Sequence, residues 1–200
     1  VPLVALDPWR TSPTAAVVTC ENAQGAYEAV AHLLGLGHRR IGVVTGPLKL
    51  VNAQMRFGGY QRALAEAGIA PDENLVRTGD YTTAAGYRAG QYFLTLENPP
   101  SAVFAASDDS ARGLIHAYRE AGLSIPDDLS VVGFDDLTSA RWSEPPLTTV
   151  HQPVAEMGAS AIGLAIAALD PEQSATGPIV LGTHLVIRET TAPRGPFGGH

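Results

Sequence analysis

A single cysteine, Cys20, stands in 200 residues, so no disulfide framework is available and the chain has to fold on its apolar core alone. Lysine is as scarce: Lys49 is the only one, and the remaining basic residues are arginines scattered along the chain. Thirteen basic residues against twenty acidic ones give a formal charge of −7, which argues against a nucleic-acid surface built of clustered cations. No apolar run approaches the roughly 20 residues of a membrane span, and no charged segment precedes an apolar stretch as an export signal requires. Nucleotide-phosphate cradles of the G-x-x-x-x-G-K-[ST] and G-x-G-x-x-G types are missing, as are the G-x-S-x-G elbow and any Cys/His nucleophile pair. A phosphoacceptor domain with an acidic pair would need a lysine beside it, and Lys49 lies in a loop. His32, His116 and His151 are isolated along the chain, so neither a metal nor a cofactor is expected, and the chain reads as no enzyme.

What is present alternates. Short apolar runs at 3–6, 15–19, 40–45, 75–77, 102–106 and 130–134, with a late one around 179–187, have the length of strands. Between them lie helix-period segments at 23–36, 53–67, 82–96, 110–121 and 154–169. Three of these stop at Gly37, Gly68 and Gly122, and the last at Asp170-Pro171. Strand–helix alternation with wholly apolar strands at 41–44 and 103–106 predicts an α/β fold, a doubly wound parallel sheet with helices on both faces. The block 22–149 reads as one α/β lobe, while the strands before it and the helix and strand after it belong to a second, partial lobe. The chain starts at Val1 inside a strand-like run, and is read as a piece of a longer protein. Residues 195–200 read as a loose tail.

In an open parallel sheet the ligand sits beyond the carboxyl ends of the strands. The residues that follow the strands are Asn52 and Arg56, then Asp80 and Tyr81, then Ser107, Asp108 and Asp109, and finally Asp135 and Asp136. Hydroxyls, carboxylates, one guanidinium and one ring suit a polyhydroxylated neutral ligand, whose hydroxyls both donate and accept. Each residue also has a plainer reading. Asp108 and Asp109 open a helix and can simply cap it; Asp136 can be a turn residue; Arg56 can be a solvated surface arginine, and Tyr81 simple packing. Trp142 can stack on a ligand or pack against a subunit or loop, and Cys20 reads as a small apolar residue at a strand end.

Six segments then resemble one family. The run Leu36-Gly37-His38-Arg39-Arg40-Ile41-Gly42, with the helix before it, is followed by Arg56-x-x-Gly59-Tyr60 and Ser107-Asp108. Next come Ile125-Pro126-Asp127-Asp128-Leu129-Ser130-Val131-Val132-Gly133-Phe134-Asp135-Asp136 and Pro145-Pro146-Leu147-Thr148-Thr149-Val150. Leu185-Val186-Ile187-Arg188-Glu189-Thr190-Thr191-Ala192-Pro193 closes the series. In this order they resemble the lactose/galactose repressor (LacI/GalR) family of bacterial transcription regulators. The resemblance implies a core of periplasmic-binding-protein type I architecture, its C-terminal lobe at 21–149 with 185–194, and a remnant of the N-terminal lobe at 1–20 and 150–184. It implies a cleft for a small effector, a sugar or a nucleoside-like molecule, contacted by Asn52, Arg56, Tyr81, Ser107 and Asp135. It places a homodimer interface near 82–87, 111–121 and 141–144, with Thr82, Tyr87, Ala111 and Trp142, which favours packing for Trp142. Operator DNA would be met only through a helix-turn-helix domain upstream, in the cytoplasm and away from membranes. Arg56 and Asp135 are expected on opposite walls of an open, solvated cleft. The alternatives are a solute-binding protein of a sugar transport system and, less well supported by motifs, a doubly wound enzyme.

Overall fold

Strands β3 (Ile41–Thr45) and β5 (Ala102–Ala105) bury every side chain, as continuous apolar runs must when helices cover both faces of a sheet. The computed structural model describes residues 3–8, 16–169 and 177–194; the tail at 195–200 and the Asp170-Pro171 stop lie outside the described residues. With β4 (Val76–Thr78), β6 (Ser130–Asp135), β7 (Thr148–His151) and β9 (His184–Val186), these strands form a sheet of order β4-β3-β5-β6-β7-β9. All its neighbours are parallel except β9, which runs antiparallel to β7. Helices α1 (Asn22–Gly35) and α2 (Val51–Glu66) cover one face through Ala26, Val30, Leu33, Tyr60 and Leu64. Helices α3 (Thr83–Leu94) and α4 (Asp108–Glu120) cover the other through Ala89, Phe93, Leu114 and Tyr118. A single turn, α5 (Thr138–Arg141), follows β6.

A second sheet, of order β1-β2-β8, is parallel and made of β1 (Val4–Leu6), β2 (Ala16–Cys20) and β8 (Ile179–Leu181). Helix α6 (Val154–Ala167) packs on it through Met157 against Val18 and Cys20. Cys20 is buried at the end of β2, and burial first of all pushes its thiol up to about 12, which makes it a packing residue. Among the described residues no helix is long and apolar enough to cross a membrane.

The structure departs from the sequence reading in three places. The late run at 179–187 is not one strand: β8 pairs with β2, whereas β9 pairs with β7 in the other sheet. The segment Thr148–His151 was not read as a strand, yet it pairs with β6 along its whole length. Val150 and His151, expected in the partial lobe, therefore pair with Leu185 and His184 inside the six-stranded sheet. Ala111 was expected at a dimer interface but is fully buried, packed in the core with Val44, Ala89 and Leu114, and cannot reach a partner.

Helices α3 and α4 lie unusually close because glycine stands where they cross. A Cβ on Gly86 would fall 1.9 Å from the Ser110 carbonyl oxygen, and one on Gly113 would fall 1.9 Å from that of Thr83. Backbone cannot yield as a side chain can, so Gly113→Ala is expected to lose roughly 2–3 kcal/mol in urea unfolding. Gly58 lies in α2 with open space around it, and Gly58→Ala should be neutral or gain about 0.5–1 kcal/mol from helix propensity. Equal losses in the two variants would refute the close-packing account.

Candidate functional site

Arg56 lies on α2, yet its side chain is buried, 3% exposed, among the C-terminal ends of the strands. The motif Arg56-x-x-Gly59-Tyr60 explains how. A Cβ at Gly59 would fall 2.2 Å from the Ala23 carbonyl, so glycine lets α2 sink against α1. Tyr60 fixes the helix from the sheet side by donating its hydroxyl to the Ile41 carbonyl at 2.8 Å. The guanidinium then donates from Nε to Asn22 Oδ1 (2.8 Å), and from Nη1 to the Ala106 carbonyl (2.7 Å) and Asp135 Oδ1 (3.2 Å). Its Nη2 donates to Gln152 Oε1 at 3.2 Å. Its plane lies over the Phe134 ring, 3.6 Å from the centroid, with the Tyr81 ring at 5.7 Å. A buried guanidinium is tolerable only when its donors are satisfied in this way.

Asp135 ends β6 with a φ of 117°, and Asp136 follows at 56°. Tyr81 (68°) and Asp7 (40°) also have positive φ, so all four such non-glycine residues among those described follow or end strands on this rim. Positions of this kind cost on the order of 1–3 kcal/mol each and persist only where their surroundings hold them. Burial pushes the Asp135 carboxyl up to about 6, while Arg56 and the backbone N–H of Asp108 pull it back down.

The other predicted residues divide. Asn52 Oδ1 accepts from the Tyr81 hydroxyl at 3.3 Å, and the Tyr81 ring closes over Gly46, where a Cβ would fall 2.1 Å from ring carbon Cζ. Ser107 is 4% exposed and caps α4, accepting from Ser110 N–H at 3.2 Å, with its hydroxyl 3.1 Å from the Tyr81 carbonyl. Asp108 does not cap the helix, which Ser107 does; fully buried, it accepts from Thr149 Oγ1 and from the Leu137 N–H (2.7 Å), tying α4 to β7 and to the chain after β6. Gly133 makes the room, since a Cβ there would fall 2.4 Å from Asp108 Oδ1. Burial drives the Asp108 carboxyl up to about 7. Asp109 stands in the first turn of α4 without capping it, paired on the surface with Arg112 at 2.9 Å.

One expectation is overturned. Arg56 and Asp135 do not face each other across an open, solvated cleft; they touch, and the arginine is buried. The reason is that its helix is drawn inward by Gly59, a packing fact that residue type and strand position do not reveal. The sequence reading also passed over Asn22, Gln152 and Asp7. Gln152 Nε2 donates to Asp7 Oδ2 at 3.2 Å, and Asn22 Nδ2 lies 3.5 Å from Asp7 Oδ1. Asp7 follows β1 and Gln152 follows β7, so the strand-end rule finds Gln152 once β7 is assigned and Asp7 once β1 is counted with the same rim. A cavity of about 330 Å³ opens beside Asp135 and Gln152, walled also by Asp136, His151 and the first turn of α6. Away from the rim, Thr82 caps α3, Tyr87 donates to Glu120, and Trp142 is 79% exposed.

The periplasmic binding protein-like domain family matches residues 30–191 of the chain. The chain is 36% identical over 198 residues to the HTH-type transcriptional repressor PurR of Klebsiella pneumoniae (strain 342), covering 98% of this chain and 58% of that protein. It thus spans little more than half the length of the repressor it matches. Among solved structures, a complex of the transcriptional regulator CelR with cellobiose gives a TM-score of 0.89 at 37% identity, over 95% of this chain and 59% of that one. A LacI family transcriptional regulator from Enterococcus faecium with bound ribose gives 0.90 at 30% identity, over 97% and 72% of the two chains.

The raised carboxyl groups carry a signed pH dependence. A group whose folded pKa stands above its unfolded value stabilises the fold when protonated, and that contribution is lost as pH rises through the folded pKa. For Asp135 the window runs from the ordinary 3.8 to about 6. His38, whose pKa burial lowers, acts oppositely and costs stability as pH falls below 6.5. The comparison with Asp135→Asn isolates the carboxyl: the stability of wild type relative to this variant should grow by roughly 2–3 kcal/mol between pH 7 and pH 4. Urea titrations across that range measure it, and a pH-independent difference would contradict the assignment.

Proposed function

Because the chain belongs to the LacI/GalR family of transcription regulators, we propose that it is the part of such a regulator that senses a small effector and forms the dimer. In this reading 21–151 with 184–194 makes one lobe of the sensing core, and 1–20 with 152–183 contributes to the other. The relatives it matches are repressors and regulators, which sets the reading apart from an enzyme and from a transport solute-binding protein. Operator DNA is contacted through a helix-turn-helix domain outside these residues, and the regulator works in the cytoplasm.

One observation carries the proposal: the Arg56 hub ties the two sheets together. It binds Asp135 and Gln152 at the ends of β6 and β7, and Gln152 and Asn22 lead on to Asp7 at the end of β1. A ligand that takes over some of these hydrogen bonds alters what joins the sheets, and this is how occupancy becomes a change in shape. The groups suit a neutral, hydroxyl-rich molecule, most simply a sugar: Asp135 accepts, Arg56 donates, and Asn52 and Gln152 do both. Tyr81 supplies an apolar face, and Ser107 offers its spare lone pair. A phosphorylated ligand fits poorly, because Asp135 already stands at the guanidinium. A ~100-fold preference for one arrangement supplies about 2.7 kcal/mol, within the usual range of such coupling.

Calorimetric titration of the intact regulator with a panel of sugars and nucleosides tests the site. Arg56→Ala would leave a buried carboxylate unpaired and endanger the fold, so Arg56→Lys and Asp135→Asn are the variants of choice. Each should weaken the best ligand by about 10- to 150-fold, the worth of a charged hydrogen bond. Two variants that bind as tightly as wild type would place the effector elsewhere.

The dimer in this reading uses Thr82, Tyr87 and the exposed Trp142, without Ala111. Large aromatic residues concentrate binding energy at interfaces. Sedimentation equilibrium of Trp142→Ala should show dimer association weakened tenfold or more; an unchanged constant would remove Trp142 from the interface.

A further inference from the structure

We propose that Arg188, Asp136 and His151 form a clamp that positions Asp135, fixing the direction in which the site's carboxylate points; the proposal rests on the effector reading above. The two aspartates are consecutive, but only the first reaches the Arg56 hub. Asp136 turns the other way. Its Oδ1 accepts from Arg188 Nη2, and its Oδ2 lies 3.0 Å from His151 Nδ1. Arg188 is itself immobilised, with Nη1 donating to the Leu147 carbonyl at 2.8 Å and its backbone N–H to Thr148 Oγ1 at 2.9 Å. The His151 ring packs on that of His184, centroids 4.9 Å apart, and His151 stands opposite Asp135 in the β6–β7 register.

The clamp acts between two anchored points of the backbone. On one side the Asp135 carbonyl accepts the Gln152 N–H at 3.3 Å; on the other the Leu137 N–H donates to Asp108. Between them, Asp135 and Asp136 hold φ of 117° and 56° in succession, a pair of conformations that L-residues leave unless held. Among the described residues, the side-chain bonds of Asp136 are those to Arg188 and His151. Both members of the ion pair are largely shielded, 11% and 13% exposed, where an ion pair is neither screened nor easily exchanged for water. Burial alone would push the Asp136 carboxyl up, yet Arg188 and His151 hold it below the usual range. Release of the clamp lets residues 135–136 return to negative φ, and swings the Asp135 carboxylate away from Arg56 and the α4 amide towards water.

Side-chain ¹³C NMR of Asp135 reads this directly, with or without a ligand. In the intact protein its carboxyl should titrate near 6; in Arg188→Met, which keeps the stem and drops the donors, the midpoint should fall by about one unit or more toward the ordinary carboxylate value. Arg188→Lys should restore most of it. A merely structural arginine would lower urea stability and leave the Asp135 midpoint in place within a few tenths, and that result overturns the proposal. If Arg188→Met does not fold, His151→Phe, which keeps the ring stack and removes Nδ1, decides by the same shift. Cellobiose and ribose titrations of the same proteins separate the two readings. A sugar bound by wild type and lost tenfold or more in the folded Arg188→Met supports the clamp within the effector site. Affinity retained despite a moved Asp135 midpoint removes Asp135 from the effector site but leaves the clamp standing.

Discussion

A guanidinium taken out of water has to be met at every nitrogen, and the rim of this molecule is organised around meeting one. Arg56 collects Asn22, Ala106, Asp135 and Gln152, residues from four separate places in the chain. Each of those partners then fixes something else. Asn22 opens α1, Ala106 follows β5, Asp135 ends β6, and Gln152 leads to Asp7 in the other sheet. Removal of the arginine would leave a carboxylate, two amides and a carbonyl to find water together, a larger penalty than any single contact suggests. The hub is therefore structural and functional at once, and a ligand entering it competes with bonds the protein already makes.

Much of this polar machinery stands on glycine. Gly59 seats α2, Gly133 admits the Asp108 carboxylate against β6, and Gly46 leaves space for the Tyr81 ring. The buried acids that result, Asp108 and Asp135, sit at the N-terminal end of α4, where amide groups and helix dipole favour negative charge. Burial nonetheless outweighs that help and raises both. The site thus holds two carboxyl groups close to their titration midpoints at neutral and mildly acid pH, one locked into the fold and one turned to the rim.

The sheet was legible from the sequence where the physics is local. Apolar runs announced β3 and β5, and helix stops at Gly37, Gly68 and Gly122 appear in the structure at φ of 89°, 69° and 80°. Strand β7 escaped because Thr148 and Thr149 look solvent-facing; they are fully buried because Thr190 and Asp108 pair with them across distances of more than forty residues. The run at 179–187 looked continuous because its break, Gly182-Thr183, shows no apolar or polar period of its own. Of the site, the residues following strands could be read off, but not which way they face. An arginine on a helix looks like a surface residue in any one-dimensional reading, and only the close approach at Gly59 buries it. Gln152 and Asp7 were missed for the simpler reason that the strand preceding one was unread and that preceding the other was assigned to a separate lobe.

The path of the chain through the two sheets bears on how the protein is made. Strands β3 to β7 follow one another, but the sheet is not closed until the chain has left it, built α6 and β8, and returned as β9. Thr190 then inserts between β6 and β7, accepting the Thr148 N–H and donating to the Val131 carbonyl, and Ala192 and Arg194 bond back to Ser130 and Leu36. On the ribosome the larger sheet therefore waits with an open edge until residues through 194 have emerged. During that interval β7 presents an unpaired strand edge to its surroundings. The time taken to synthesise residues 152–194 sets how long the nascent chain stays exposed to aberrant pairing.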